Sequence, residues 1–351
     1  MEAIGINIYG GGFTLGVQQA DWKVLGQWEE CNLGRKTFDL NFSNIPRPLE
    51  LRKWPISQYV NKVPFVFANP PCAPWSIANN HVGKTRESRF NDKRLELTLH
   101  TMKAAQLLEP EVFISESVEN GYNIGSSHYD FYRDQWMEKG YSVTYFLSDA
   151  ILQGAPCVRR RFHFIAHRDK LQLPPEPTLP KKAMTVRDAI GDLIEVDGRL
   201  PGHVKSSFNA AYDELLPLVE PYGKLYRVLN AHPSYKGPRA GFLMRRLAWD
   251  APACTMVGFS FIHPDGHRWI TFREALRLCT YPDTFMAHNA IEAVDAVLPV
   301  VSKFLAETAK KTIELAEPQA QQFSVVDWRP YGRPYHYNAR KNKPLSDQLV
   351  A

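Results

Sequence analysis

The sequence has little of what marks secreted, metal-stapled or membrane-bound chains. Its five cysteines, Cys31, Cys72, Cys157, Cys254 and Cys279, are odd in number and include no Cys-x-x-Cys pair. A disulfide framework and a structural zinc site are therefore not expected, nor any other metal, since no ligand triad stands out. A reducing, cytoplasmic setting suits such cysteine usage. No apolar run reaches membrane-spanning length and residues 1–16 carry no basic leader, so neither a membrane partner nor a signal peptide is expected. No internal repeat is visible, and neither sign of charge dominates: 42 Lys and Arg face 37 Asp and Glu, for a formal net charge of +5. That is a slight lean toward an acidic partner, and the placement of the charge matters more than its sum.

What is present is an ordinary globular composition, 44% hydrophobic and 23% charged over 351 residues, enough for one large core and a smaller module. Apolar runs over 3–9, 23–28, 63–68, 111–115, 142–148 and 161–166 read as strands. Between them, 91–108 carries Leu95, Leu99 and Met102 at helical spacing, and 127–139 is helix-sized. Strand and helix in alternation predict an α/β fold with a mostly parallel sheet. This main domain is expected over 1–171 and, after an interruption, over 247–316, where 271–278 and 293–315 look helical. The interruption, 172–246, opens with a proline-rich linker at 173–182. Within it, residues 199–246 hold eight Lys or Arg against three Asp or Glu, interleaved with aromatics such as Tyr222 and Tyr226. The tail, 317–351, carries Trp328, Arg329, Tyr331, Arg333, Tyr335 and Tyr337. It reads either as an arm packed over the main domain or as a strip that stacks on an unpaired base.

One cysteine is presented differently from the others. In Ala68-Asn69-Pro70-Pro71-Cys72-Ala73-Pro74-Trp75-Ser76 it follows an apolar run and a Pro-Pro turn. Two prolines fix φ and remove two backbone donors, so the thiol cannot continue the strand and overhangs its C-terminal end. In an open α/β sheet that end is where ligands bind.

Several segments then fall in one order. Gly10-Gly11-Gly12-Phe13-Thr14-Leu15-Gly16 follows the first strand, Glu29 ends the second, Cys72 follows a later one and Glu116 ends the next. After them come Gly154-Ala155-Pro156-Cys157-Val158-Arg159-Arg160-Arg161 and a long stretch at 245–285 that contains Thr271-Phe272-Arg273-Glu274-Ala275. This order resembles the cytosine-C5 DNA methyltransferases, over roughly 1–168 and 245–300. The resemblance implies a Rossmann-like methyltransferase fold of prokaryotic or phage type with a small target-recognition region at 172–246. It also implies S-adenosylmethionine as cofactor and double-stranded DNA with a flipped cytosine as partner. Cys72 would be the thiolate that adds to C6. Glu116 would meet N3, Arg161 would hold O2, and Arg159 would steady the catalytic loop. The cofactor would be held by Asn7, Tyr9, Gly10, Gly11, Gly12, Phe13, Glu29, Glu30, Glu50, Pro70, Asp295 and Ala296. Ser76, Arg239, Arg245 and Arg246 would contact DNA.

The departures concentrate at the donor end. Where the family has Asp-x-Phe-x-Gly, this chain has Gly5, Asn7 and Tyr9; the aromatic that follows the ribose-binding acid is Glu30; the Asn after the catalytic Glu is Ser117; the Gln before the arginines is Cys157. Ordinary S-adenosylmethionine in a divergent pocket, a modified or different one-carbon donor, and a non-catalytic DNA-binding relative or partner subunit all remain open. So does an RNA or free-nucleotide substrate.

Overall fold

The computed structural model describes residues 1–30, 34–47, 56–77, 85–196, 200–205, 215–232, 244–257, 261–338 and 343–344. It divides into two units: Met1–Asp149 with Arg160–Pro177 and Ala296–Pro330, and Ala150–Arg159 with Thr178–Asp295 and Tyr331–Ala351.

The first unit is built on a seven-stranded sheet. Its strands are β1 (Glu2–Ile6), β2 (Lys23–Trp28), β3 (Phe65–Ala68), β4 (Val112–Val118), β5 (Ser142–Asp149) and β6 (Arg160–His167), joined late in the chain by Phe323–Asp327. The order is β2-β1-β3-β4-β6-β5 followed by Phe323–Asp327. Every neighbouring pair is parallel except β4 with β6 and β5 with β6. Both faces are covered, which is why the strands read as apolar runs rather than as alternating patterns. On one face Ile4, Ile6, Val66, Ala68, Phe113 and Tyr145 pack against apolar positions of the helices Leu95–Leu108 and Ser126–Glu138. On the other, Phe67 meets Phe13 of α1 (Gly12–Gln19), and Trp22 donates to the carbonyl of Ala306 in the helix Pro299–Leu315. That helix lies so close to α1 that a Cβ on Gly16 would run into the Pro299 carbonyl and Ser302. Helices on both faces of a largely parallel sheet make this a Rossmann-like methyltransferase fold.

The second unit carries a small core of Leu215, Leu216, Val219, Leu225, Leu229 and Ile262. Two of its helices, Val186–Ile190 and Phe272–Leu278, start with reciprocal capping boxes, Thr185 with Asp188 and Thr271 with Glu274. Arg273 is fully buried and donates to the carbonyls of Pro201, Pro282 and Phe285.

Several expectations need adjustment. Residues 247–295 group with the second unit rather than with the sheet. The helix expected over 293–315 is two, Ala290–Val294 and Pro299–Leu315, because proline is welcome only in a helix's first turn. The first part of the tail packs on the sheet, in keeping with the packed-arm alternative. Phe323–Asp327 pairs parallel with β5, and Trp328 is buried, its ring edge-on to Phe146 and its indole N–H on the carbonyl of Pro175. Among the described residues, no helix is long and apolar enough to cross a membrane.

Candidate active site

The thiol loop sits where β3 ends. Pro70 is buried and Pro71 leads into Cys72, which is half-buried at φ −89°, ψ −2° and caps a single 3₁₀ turn, Ala73–Trp75. The turn is anchored from below: Trp75 is fully buried and edge-on to Phe90, with ring centroids 5.1 Å apart. Arg89 ties it from the side, donating to the carbonyls of Pro74 (2.8 Å) and Ser76 (3.3 Å). Ser76 is half-buried, its N–H spent on the carbonyl of Ala73.

Strand register brings the next two groups together. In the antiparallel ladder of β4 and β6, Glu116 faces His163 and Val118 faces Arg161. Glu116 and Arg161 are therefore diagonal neighbours on one face, and Nε of Arg161 lies 2.7 Å from Oε1 of Glu116. Nδ2 of Asn69, three residues before Cys72, donates to Oε2 of Glu116 at 2.6 Å. Asn69 thus joins the thiol loop to the carboxyl. The sequence reading missed it, although a polar residue between a strand and a Pro-Pro turn is a visible signal. Two more missed residues have no such signal. The Tyr129 phenol is buried with Ser117, Cys72 and Glu116 around it; burial pushes its pKa up against the Ser117 hydrogen bond, with Cys72, Tyr132 and Glu116 adding to the rise. Arg94, bonded to Asp92 through both arms, is held above the usual guanidinium range by Asp92 first and by the Cys72 sulfur among the lesser causes. His163 is a core histidine, fully buried with Nδ1 near the carbonyl of Phe146, and burial pulls its pKa down to about 3.

Arg159 is engaged with main-chain carbonyls. It is buried in the second unit and donates to the carbonyls of Met256, Val294 and Asp295. The Asp295 side chain is exposed and Ala296 is buried. Arg246 donates to the carbonyls of Val219 and Pro264, so its guanidinium holds loops together. Arg245 is half-buried beside Lys224. Arg239 and Glu50 lie outside the described residues.

At the donor end, β1 stops at Ile6 because Asn7 and Tyr9 take positive φ, 52° and 64°. The turn continues through Gly10 to Gly11, which caps α1 at φ 92°, with neither a side-chain cap nor an acidic residue in the first turn. The loop ahead of the next helix rests on this turn at Gly34 (φ 74°), where a Cβ would stand 2.6 Å from the Gly10 nitrogen. Phe13 is a core residue, its ring 5.0 Å from that of Phe67. Glu29 is buried at the end of β2. Its Oε1 accepts from the Ile8 N–H (2.6 Å) and from Nε2 of Gln27 (2.7 Å), and Arg47 lies 3.8 Å from Oε2. Desolvation outweighs these partners and pushes the Glu29 carboxyl up to about 7. Asn7 bridges its surroundings, Nδ2 donating to Thr101 and Oδ1 accepting the Glu30 N–H. The Glu30 carboxylate pairs with Nδ1 of His100 at 2.9 Å.

These residues fit S-adenosylmethionine at two of its three parts. An uncapped helix start suits the amino-acid carboxylate, and a carboxyl at the second strand's end suits ribose hydroxyls. Where the resemblance leads one to expect an aromatic shelf for adenine, this chain has the Glu30–His100 pair. Among the described residues, no His, Cys, Asp and Glu cluster with metal-holding geometry comes together.

Comparison with known proteins gives the family. Residues 2–298 match the family described as C-5 cytosine-specific DNA methylase. The type II methyltransferase M.PspPI of a Psychrobacter species is 28% identical over 298 residues, covering 78% of this chain and 69% of that one. The type II methyltransferase M.MthTI of Methanothermobacter thermautotrophicus is 25% identical over 329 residues, covering 87% and 94%. Among solved structures, the Entamoeba histolytica methyltransferase EhMeth superposes with a TM-score of 0.64 at 13% identity, covering 89% of this chain and 98% of that one. The S. pombe Dnmt2 methyltransferase gives 0.56 at 14% identity, covering 89% and 99%; at these identities the likeness speaks for the fold. The chain belongs to the C-5 cytosine-specific DNA methylase family.

Proposed function

We propose that this chain transfers a methyl group from S-adenosylmethionine to C5 of cytosine in DNA, with Cys72 as nucleophile. The observation that carries the reading is the Asn69–Glu116–Arg161 network set against the Cys72 loop. Cytosine C5 is too weak a nucleophile while the ring stays aromatic. A bond from Cys72 Sγ to C6 moves an electron pair toward C5 and N3, and Glu116 serves N3 as that charge develops. Arg161, on the other carboxyl oxygen, fixes the direction in which Glu116 points and offers donors to O2. Asn69 keeps carboxyl and thiol in register. When bound, S-adenosylmethionine supplies the electrophilic methyl group. Loss of the C5 proton to a base then re-forms the C5–C6 double bond and releases Cys72. The target atoms lie inside a stacked duplex, so the base must leave the stack to reach this loop. Arg245, beside Lys224 and near Arg227, supplies positive charge for the DNA backbone.

One observation favours a second reading, a different one-carbon donor. The Glu30–His100 pair stands where the family has an aromatic residue.

A duplex carrying 5-fluorocytosine tests the reading. Fluorine cannot leave C5 as a proton does, so the adduct accumulates. The expected result is a denaturation-resistant protein–DNA species with the wild-type chain and none with Cys72→Ser. An equal yield from both removes Cys72 from the mechanism, and an adduct on RNA alone replaces DNA as the substrate.

A further inference from the structure

We propose that residues 317–330 form a clamp on the active site, with Arg329 as a positioning residue for Glu116. The proposal rests on the reading of Glu116 given above. The segment lies beyond the family match, which ends at 298.

The chain of contacts runs through one short helix. Directly after β4, which carries Glu116, comes Glu119–Asn123. Arg329 grips both of its ends, Nη1 donating to Oε1 of Glu119 (2.8 Å) and to Oδ1 of Asn123 (3.2 Å). The rest of the guanidinium is fixed from behind, Nε and Nη2 donating to the two oxygens of Asp327 at 2.8 and 2.7 Å. Asp327 ends the strand Phe323–Asp327, which is hydrogen-bonded into the sheet beside β5. The anchor is therefore rigid. Gln321 reinforces it by donating to the carbonyls of Met137 and Tyr141, and Trp328 donates its backbone N–H to the carbonyl of Leu147.

What is clamped is packed without slack onto the catalytic strands. A Cβ on Gly121 would stand 3.0 Å from Ser117 Oγ, 3.1 Å from the Tyr129 ring and 3.3 Å from Phe162. Ser117 is the neighbour of Glu116, and Phe162 the neighbour of Arg161. A shift of Glu119–Asn123 toward the sheet is blocked, and a shift away is resisted by Arg329. Placement of a catalytic group to within a fraction of an ångström is worth large factors in rate.

The test compares Arg329→Met, Arg329→Lys and Glu119→Gln with the wild type, all as full-length chains on duplex DNA. The expected result is a fall in kcat of about tenfold for Arg329→Met with KM for DNA nearly unchanged. Arg329→Lys should recover part of the loss, and amide exchange over residues 119–123 should be faster in Arg329→Met. Wild-type kcat in both Arg329→Met and Glu119→Gln overturns the clamp, as does a loss of rate with unchanged exchange at 119–123. If Arg329→Met fails to fold, Glu119→Gln decides alone: a reduced kcat supports the clamp and a wild-type kcat overturns it. Glu116→Gln, run beside them, separates the two claims. If it keeps the wild-type rate, the reading of the site fails and the clamp falls with it. If it loses the rate while both clamp variants keep theirs, the clamp alone falls.

Discussion

Glu29 should make the stability of this protein fall as the pH rises. Its carboxyl is 1% exposed and moves from an ordinary 4.5 to about 7, chiefly through desolvation. Below 4.5 the group is protonated in both folded and unfolded chains and makes no difference between them. Between 4.5 and 7 the unfolded chain has released its proton while the folded chain still holds it, so folding takes up a proton and each step up in pH disfavours it. Above 7 the folded chain bears a buried carboxylate. At about 1.36 kcal/mol per pH unit, the interval from 4.5 to about 7 corresponds to roughly 3 kcal/mol of stability lost. Glu29→Gln keeps an oxygen for the Ile8 N–H and for Gln27 but carries no charge. Urea unfolding of wild type and variant between pH 5 and pH 8 measures the effect, and subtracting the two cancels the other titrating groups. The wild type should lose between about 2 and 3 kcal/mol relative to the variant over that range, part of the effect being already spent at pH 5. Parallel pH dependences would show that Glu29 is solvated or charge-compensated in the folded chain, and the reasoning would be wrong.

Other residues give separable outcomes. Gly34→Ala places a Cβ against Tyr9 and Gly10 at a φ of 74°. It should cost more than about 2 kcal/mol and weaken binding of S-adenosylhomocysteine measured by calorimetry. Arg245→Ala should lower the slope of log K against log salt for DNA by about 1 while leaving the melting temperature alone. Arg246→Ala should do the reverse, because its guanidinium serves the Val219 and Pro264 carbonyls; the loss should be about 2 kcal/mol, read by thermal unfolding.

The sequence exposes the parts of this molecule that rest on short-range chemistry. Strands buried on both faces announce themselves as apolar runs, and β2 and β5 start and end within a residue of their runs. The helix Phe272–Leu278 is legible in the Thr-x-x-Glu of its capping box. Cys72 stands out because a Pro-Pro turn marks it, and Glu116 because an acid follows closely on an apolar run, although β4 continues two residues past it. The strand Phe323–Asp327 is hidden because an edge strand is half-exposed and lacks the apolar run. Arg329 and Tyr129 are hidden because their partners lie far away in sequence or across the sheet. Arg159 and Arg246 look alike with Arg161 and Arg245 on paper. Only folding shows which guanidiniums satisfy buried carbonyls and which reach a carboxylate or an open surface.

The most direct measurement of the central claim is nucleoside mass spectrometry of DNA from cells expressing the wild-type chain or Cys72→Ser. The account predicts 5-methylcytosine that appears with the wild type and vanishes with Cys72→Ser. A heavier C5 adduct that depends equally on Cys72 would keep the thiol chemistry and favour a different one-carbon donor. Methylcytosine at full level with Cys72→Ser, or no modified cytosine from the wild type, would contradict the claim.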